Sequence, residues 1–307
     1  MATPKQEYIK QLNDIAYRYG MLEDTTIRHA MTMLGDLRAQ IADQLTAAQG
    51  WEAYRLRELQ VGVERAILDY ESRLNGRLRP AFEQAHQDGQ AMVVDPLRRL
   101  GIQSVFFQPN PAQVNVLLDF SAELVKGIGN DLRTRINAQI RRAALGQMSP
   151  MDAMKAITQE LGVKAQAGMW ARRPPVVRGV AARAETIVRT EMQRVFNLAN
   201  HSQQLATAKQ VPGLMKAWIA TADGRTRQSH LQAHVQYRGN PIPVNQLFVL
   251  HDAKYGKAEL MFPADPAAPP WATINCRCRT ATIHPAIGVI GSSLDGRISQ
   301  ELQRRSA

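Results

Sequence analysis

The segment Trp218-Ile-Ala-Thr-Ala-Asp223-Gly224-Arg225-Thr226-Arg227 decides how this chain folds, together with His230, Phe262-Pro-Ala-Asp265-Pro266 and Asn275-Cys276-Arg277-Cys278-Arg279. Leu214 to Thr221 alternates apolar and polar with period two, which predicts a strand carrying Trp218 on one face, and Asp223-Gly224 supplies a tight turn. Thr273 to Thr282 alternates in the same way. Ile274, Cys276, Cys278 and Thr280 share one face, and Asn275, Arg277 and Arg279 share the other. Between these strands, Arg225 to His234 predicts a short helix with His230 and His234 one turn apart. Short strands with tight turns around such a helix predict a compact α+β domain with a small, mainly antiparallel sheet.

Upstream of this segment the pattern is helical. A helix over about 176–208 leads into it, with an apolar stripe of Val180, Ala184, Ile187, Val188, Val195 and Leu198. Residues 163–175, closed by Arg172-Arg173-Pro174-Pro175, read as a linker. Ser149-Pro150-Met-Asp152 is a capping box that starts a short helix running to Leu161. Earlier still, Leu117, Leu124, Ile128, Leu132, Ile136 and Ile140 form the stripe of a long helix stopped at Gly146. Residues 5–88 read as helix through Ile27, Met31, Leu34, Leu37, Ile41 and Leu45, then Trp51, Tyr54, Val63, Ile67, Tyr70 and Leu74. Asp24 or Thr25 is the expected N-cap there, and Asn75-Gly76 and Pro80 are the expected stop. Residues 89–112 read as an irregular connection. The expected division is therefore a helical bundle or docking region over 1–148, the α+β domain over 149–285, and a tail over 286–307. No fixed-period repeat is visible.

Within this framework a few residues carry chemistry. Glu191 falls inside the apolar stripe of the 176–208 helix, and a buried carboxylate needs a cationic partner. Arg225, Arg227, Arg277 and Arg279 are the expected supply, and a catalytic acid or base with raised pKa is the competing reading. Cys276 and Cys278 read either as small buried hydrophobes or, with His230, as zinc ligands, with His234, Asp265 or His251 as the fourth. His230 and His234 have a metal-like spacing but lack the glutamate of zinc proteases. No Gly-rich phosphate loop, nucleophile elbow or ordered Ser/His/Asp triad appears, so no catalytic residue is assigned.

Composition narrows the partners. The chain has 307 residues and a formal charge of +11. Residues 1–150 hold 18 Lys/Arg against 17 Asp/Glu, whereas residues 151–307 hold 20 against 10. A basic half predicts contact with a polyanion, with nucleic acid ahead of an acidic protein, and Arg227, Arg277 and Arg279 are the candidate phosphate contacts. No apolar run approaches the ~18 residues needed to cross a bilayer, and the N-terminus has no apolar signal core. Two cysteines one residue apart make no disulfide framework, so reduced thiols are expected.

The order of these motifs resembles the phage Mu protein F-like family. Arg189-Thr190-Glu191 and Asn197 lie on one helix. Trp218, Asp223-Gly-Arg225-Thr226-Arg227, His230, Phe262-Pro-Ala-Asp265-Pro266 and Asn275-Cys-Arg-Cys278 follow. The resemblance covers about residues 150–285. It implies a minor head, or head morphogenesis, protein of a tailed double-stranded DNA phage or prophage, made in the host cytoplasm and incorporated into the virion head interior near the portal. It implies portal or major capsid protein as partners, packaged DNA as a further contact, and a part in head assembly, DNA packaging or DNA release. Arg189, Glu191, Asn197, Trp218, Asp223, Arg225, Thr226, Asp265 and Asn275 are expected to form a polar lock for the small fold. The alternatives are a metal-dependent nuclease or transferase using Glu191, Asp223 and His230, or a scaffold that leaves before maturation. Some relatives carry toxin or enzyme domains after the motif, and the short stretch beyond His284 is not expected to hold one.

Overall fold

A computed structural model describes residues 3–47, 53–102, 111–160, 179–221, 223–285 and 294–306. Three long helices come first: α1 (Pro4–Ala47), α2 (Ala53–Arg99) and α3 (Pro111–Ala144). They are followed by α4 (Pro150–Glu160), α5 (Val180–Ala208), β1 (Met215–Ile219), α6 (Gln228–Gly239), β2 (Ile242–Pro243), β3 (Phe248–Asp252) and β4 (Gly256–Leu260). The turn α7 (Pro270–Thr273), strand β5 (Arg279–Ile283) and helix α8 (Leu294–Ser306) complete the order. The architecture is α+β, as the patterning predicts, with a long helical front. β1 sits between β2 and β5 in an antiparallel three-stranded sheet, and β3 and β4 form a separate antiparallel hairpin.

The chain divides into two compact units that are not contiguous in sequence. One comprises Glu23–Ala81 and Val116–Val188. Its core is apolar: Ile27, Leu34, Leu37 and Ile41 of α1, Val63, Ile67, Tyr70 and Leu74 of α2, and Val125, Ile128, Leu132, Ile136 and Ile140 of α3. Leu118 and Val125 are buried where the expected α3 stripe had Leu117 and Leu124, so its first turns are rotated by one residue. A Cβ on Gly129 would land 1.6 Å from Glu71 Oε1, so this glycine permits the close approach of α3 to α2. Ser149 Oγ accepts the Asp152 N–H at 3.1 Å, and α4 starts where the capping box predicts.

Two helix boundaries differ from the sequence reading. α1 runs uninterrupted past Asp24 and Thr25, and α2 continues through Gly76 and Pro80 to Arg99, so residues 89–99 are helix and not an irregular connection. Proline removes one donor and crowds the carbonyl four residues back, which here belongs to Gly76. Burial of Leu74, Leu78 and Ala81 continues without a break and outweighs that local penalty. The expected connection over 103–110, the linker over 163–175 and the first turn expected at 176–178 lie outside the described residues.

The other unit comprises Met1–Leu22, Phe82–Asn115 and Arg189–Ala307. Its centre is the C-terminal part of α5. From Thr190 to Asn197 every residue is buried, which marks a helix covered on all sides. Tyr19 of α1 stacks on Phe196, with ring centroids 4.1 Å apart. A Cβ on Gly89 of α2 would meet the Phe196 carbonyl at 2.2 Å, so only glycine lets the two backbones touch there. A second apolar cluster joins Trp218 and Leu231 to Phe248, Leu250, Leu260, Cys276 and Cys278. The stretch expected as a tail contains α8, whose Ile298 is fully buried in this cluster.

Candidate functional site

α5 buries an unusual number of polar side chains. Thr190, Gln193, Asn197, Asn200 and Gln204 recur at three- and four-residue spacing, which puts them on a single face. That face follows the chain through the Asn275–Cys278 motif into β5. Thr190 Oγ1 accepts the Asn275 N–H at 3.0 Å. Gln193 Nε2 and Asn197 Nδ2 both donate to the Cys278 carbonyl, at 2.6 and 3.1 Å. Thr280 Oγ1 donates to Asn200 Oδ1 at 2.8 Å, and Gln204 Nε2 to Thr282 Oγ1 at 3.1 Å. A buried carbonyl with two side-chain donors is strongly fixed, because breaking both would leave it unsatisfied. The motifs read from the sequence include Thr190, Asn197, Asn275 and Cys278, but not Gln193, Asn200, Gln204, Thr280 or Thr282. The three-four recurrence of amides and hydroxyls was the available signal.

Glu191 is buried on the same helix, but its partner is not one of the motif arginines. Arg194 Nη1 reaches both carboxylate oxygens, at 2.7 and 2.8 Å. The expected pairing with Arg225, Arg227, Arg277 or Arg279 is therefore corrected to an i,i+3 neighbour, which needs no long-range closure to form. Burial raises the Glu191 carboxyl above its ordinary range even though Arg194 pulls it down.

The Asp223–Thr226 turn forms a second polar group. Asp223 Oδ1 accepts the Arg225 N–H at 3.1 Å and lies 3.0 Å from Thr226 Oγ1. Thr226 Oγ1 also donates to the Thr221 carbonyl. Arg277 grips the Asp223 carboxylate with both terminal nitrogens, one at 2.8 Å. Burial opposes ionisation of Asp223, but Arg277 and the turn donors hold its carboxyl below the usual range. Arg227 donates to the Ile274 carbonyl at 2.5 Å. Two of the three candidate phosphate contacts are thus engaged within the fold, and Arg279 is half-buried on β5. From α8, Arg305 donates to the carbonyls of Thr226 at 2.6 Å and Gly224 at 3.1 Å, closing the turn from outside.

Asp265 acts on its own loop. Its two oxygens accept the Met261 and Ala267 N–H groups at 2.8 and 2.9 Å. The Met261 carbonyl receives Lys216 Nζ at 2.7 Å. Lys216 is fully buried on β1, over the Phe248 ring, and burial pushes its pKa down to about 8. It occupies the Trp218 face of the strand, a position where alternation predicts an apolar residue.

Cys276 and Cys278 are buried, as their shared face predicts, although regular strand begins only at Arg279 and Pro270–Thr273 is a helical turn. Asn275 takes a left-handed conformation with φ of 57°, and Ile274 is 40% exposed instead of joining the inward face. His230 Nδ1 lies 3.3 Å from Cys278 Sγ and 3.6 Å from Cys276 Sγ. The Cys278 N–H points to Cys276 Sγ at 3.5 Å. Burial pushes Cys276 up, yet Cys278 and the imidazole bring its thiol well below the ordinary range. Burial and the adjacent sulfur hold Cys278 well above it. The Trp218 ring meets His230 edge-on at 5.4 Å. Trp218 Nε1 is buried beside this cluster, and the indole favours the ionised form of Cys278.

The proposed fourth ligands lie elsewhere. His234 Nδ1 accepts the Ala220 N–H at 3.2 Å and its Nε2 faces Arg238 at 3.4 Å, so both ring nitrogens are taken. His251 is exposed on β3, and both Asp265 oxygens are occupied. Among the described residues, the metal-capable group is His230, Cys276 and Cys278.

Residues 134–281, just under half of the chain, match the family described as phage Mu protein F like protein. No curated protein and no solved structure matches the chain. The matched segment runs from within α3 to within β5, so it includes α5, the Asp223–Thr226 turn, α6 and both cysteines, and it leaves α8 outside.

Proposed function

Residues 134–281 carry a phage Mu protein F-like region, and from that premise we propose that the protein is a minor head protein of a tailed double-stranded DNA phage or prophage. The carrying observation is that the matched segment contains the polar-locked stretch from α5 to the start of β5. The protein would enter the head during assembly, near the portal, with portal or major capsid protein as its contact. The basic excess of residues 151–307 would meet packaged DNA through phosphates.

A structural role fits the polar groups better than a catalytic one. A nuclease or transferase reading needs Glu191, Asp223 and His230 to converge on a reacting atom. Each has its own partner instead: Arg194 for Glu191, Arg277 for Asp223, and the two sulfurs for His230. No helix among the described residues is long and apolar enough to cross a membrane.

Mass spectrometry of purified procapsids and mature virions tests this reading. Low-copy recovery from both is the expected result. Recovery from procapsids alone identifies a departing scaffold, and absence from both overturns a head role. DNA affinity should fall steeply between low and high salt with little sequence preference, and a salt-independent affinity removes the DNA contact.

A further inference from the structure

The geometry points to a binding site for one zinc ion, held by His230 Nδ1, Cys276 Sγ and Cys278 Sγ. This inference does not depend on the head-protein reading, since it is read on the purified chain.

The three ligand atoms lie within 4.8 Å of one another, and all three residues are buried. Zinc bonds of ~2.3 Å to sulfur and ~2.0 Å to nitrogen at a tetrahedral angle place N and S ~3.5 Å apart. The observed separations of 3.3 and 3.6 Å bracket that value. A hydrogen-bonded cluster explains the pair of contacts less well. Nδ1 has one in-plane direction, which carries one proton or one lone pair, so it serves one sulfur well and leaves the other contact weak. A metal ion between them serves both. The Cys278 N–H is directed at Cys276 Sγ, an outer contact that suits a metal-bound sulfur.

The ligands come from distant parts of the chain. His230 is on α6, and the cysteines precede β5 by one to three residues. A metal would therefore clasp α6 to the β5 lead-in, beside the carbonyl gripped by Gln193 and Asn197. With His234, His251 and Asp265 committed or distant, three protein ligands remain among the described residues, and the fourth position falls to a water or small anion. That arrangement predicts an exchangeable position on an otherwise sealed site.

The test uses the full-length protein purified without chelator. Elemental analysis after dialysis against zinc should find about one zinc per chain. Cobalt(II) loaded in its place should give a sulfur-to-cobalt charge-transfer band and the intense d–d bands of a tetrahedral site. Removing the metal with a chelator should lower the Tm, and zinc should restore it. His230→Gln and the Cys276→Ser/Cys278→Ser pair should each retain less than about a tenth of the wild-type zinc. Should those variants unfold, the cobalt spectrum and chelator response of the unaltered protein still decide the matter. Wild-type protein with no stoichiometric zinc, no thiolate–cobalt band and no Tm response overturns the site. Folded variants that keep full zinc overturn the ligand set.

Discussion

In the unit made of Glu23–Ala81 and Val116–Val188, most charges sit at the rim. Arg73 pairs with Asp36, and Arg183 with Asp131, with every side chain about two-fifths exposed or more. In the unit built around the second half of α5, the polar groups lie in the core: Glu191 with Arg194, the amide stripe on β5, and Lys216 on the Met261 carbonyl. The first unit is held mainly by apolar stripes, with the Arg133–Glu71 pair as its more buried ionic contact. The second depends on groups that are costly to bury and costlier to orphan. Removing a member of this network leaves its partner unsatisfied in the core.

Four measurements would break or sharpen this contrast. The largest effect should follow Trp218→Ala, which empties the middle of the apolar cluster beneath the network. A loss of ~3–5 kcal/mol is expected in denaturant unfolding, and a loss under ~1 kcal/mol would show that the cluster is not central.

Acid should come next. Burial, reinforced by Lys216, lowers the His201 pKa to about 4, whereas the unfolded chain titrates near 6.5. The unfolded state thus takes up the proton first, and stability should fall as pH drops from 6.5 towards 4, by on the order of 3 kcal/mol. His201→Phe keeps an aromatic ring against Phe262 and should remove that share of the slope. An unchanged slope would assign it elsewhere.

The double substitution Gln193→Ala/Asn197→Ala leaves the Cys278 carbonyl without either donor and should cost ~1–3 kcal/mol. Hydrogen exchange at β5 should accelerate while exchange in α3 stays as it was. Equal acceleration in both would erase the distinction between the units. Arg73→Ala should be the mildest, within ~1 kcal/mol, because its partners Asp36 and Asp69 are half-exposed. A larger loss in a thermal melt would mean that rim charges matter here as much as core ones.

The same contrast explains what the sequence makes legible. Ile27, Leu34, Ile67, Ile128 and Ile136 announce their helices because burial repeats every three or four residues along one local segment. The Ser149 box, the Gly146 stop and the inward face of Cys276 and Cys278 are local in the same way. Gln193 and Cys278 are 85 residues apart, and nothing in either neighbourhood names the other. Glu191 is the instructive miss. Its expected partners were distant arginines, whereas Arg194 stands one turn away. Pro80 misled for the opposite reason, since a strong local signal was overruled by packing on both sides of it. α8 was passed over because its apolar residues are few, and the burial of Ile298 and the reach of Arg305 exist only once the rest of the unit is there.

Tyr8 donates its hydroxyl proton to the Thr282 carbonyl, across 274 positions of the chain. A ribosome emits residue 8 long before residue 282, so the unit that contains both cannot close until the 274 positions after Tyr8 have been made. Its helices α1 and α2 must wait for α5 and then for β5. Such non-local closure makes for slow assembly and a long exposure of unfinished surface. A chain cut short before β5 would lack that contact and leave the unit open to proteases.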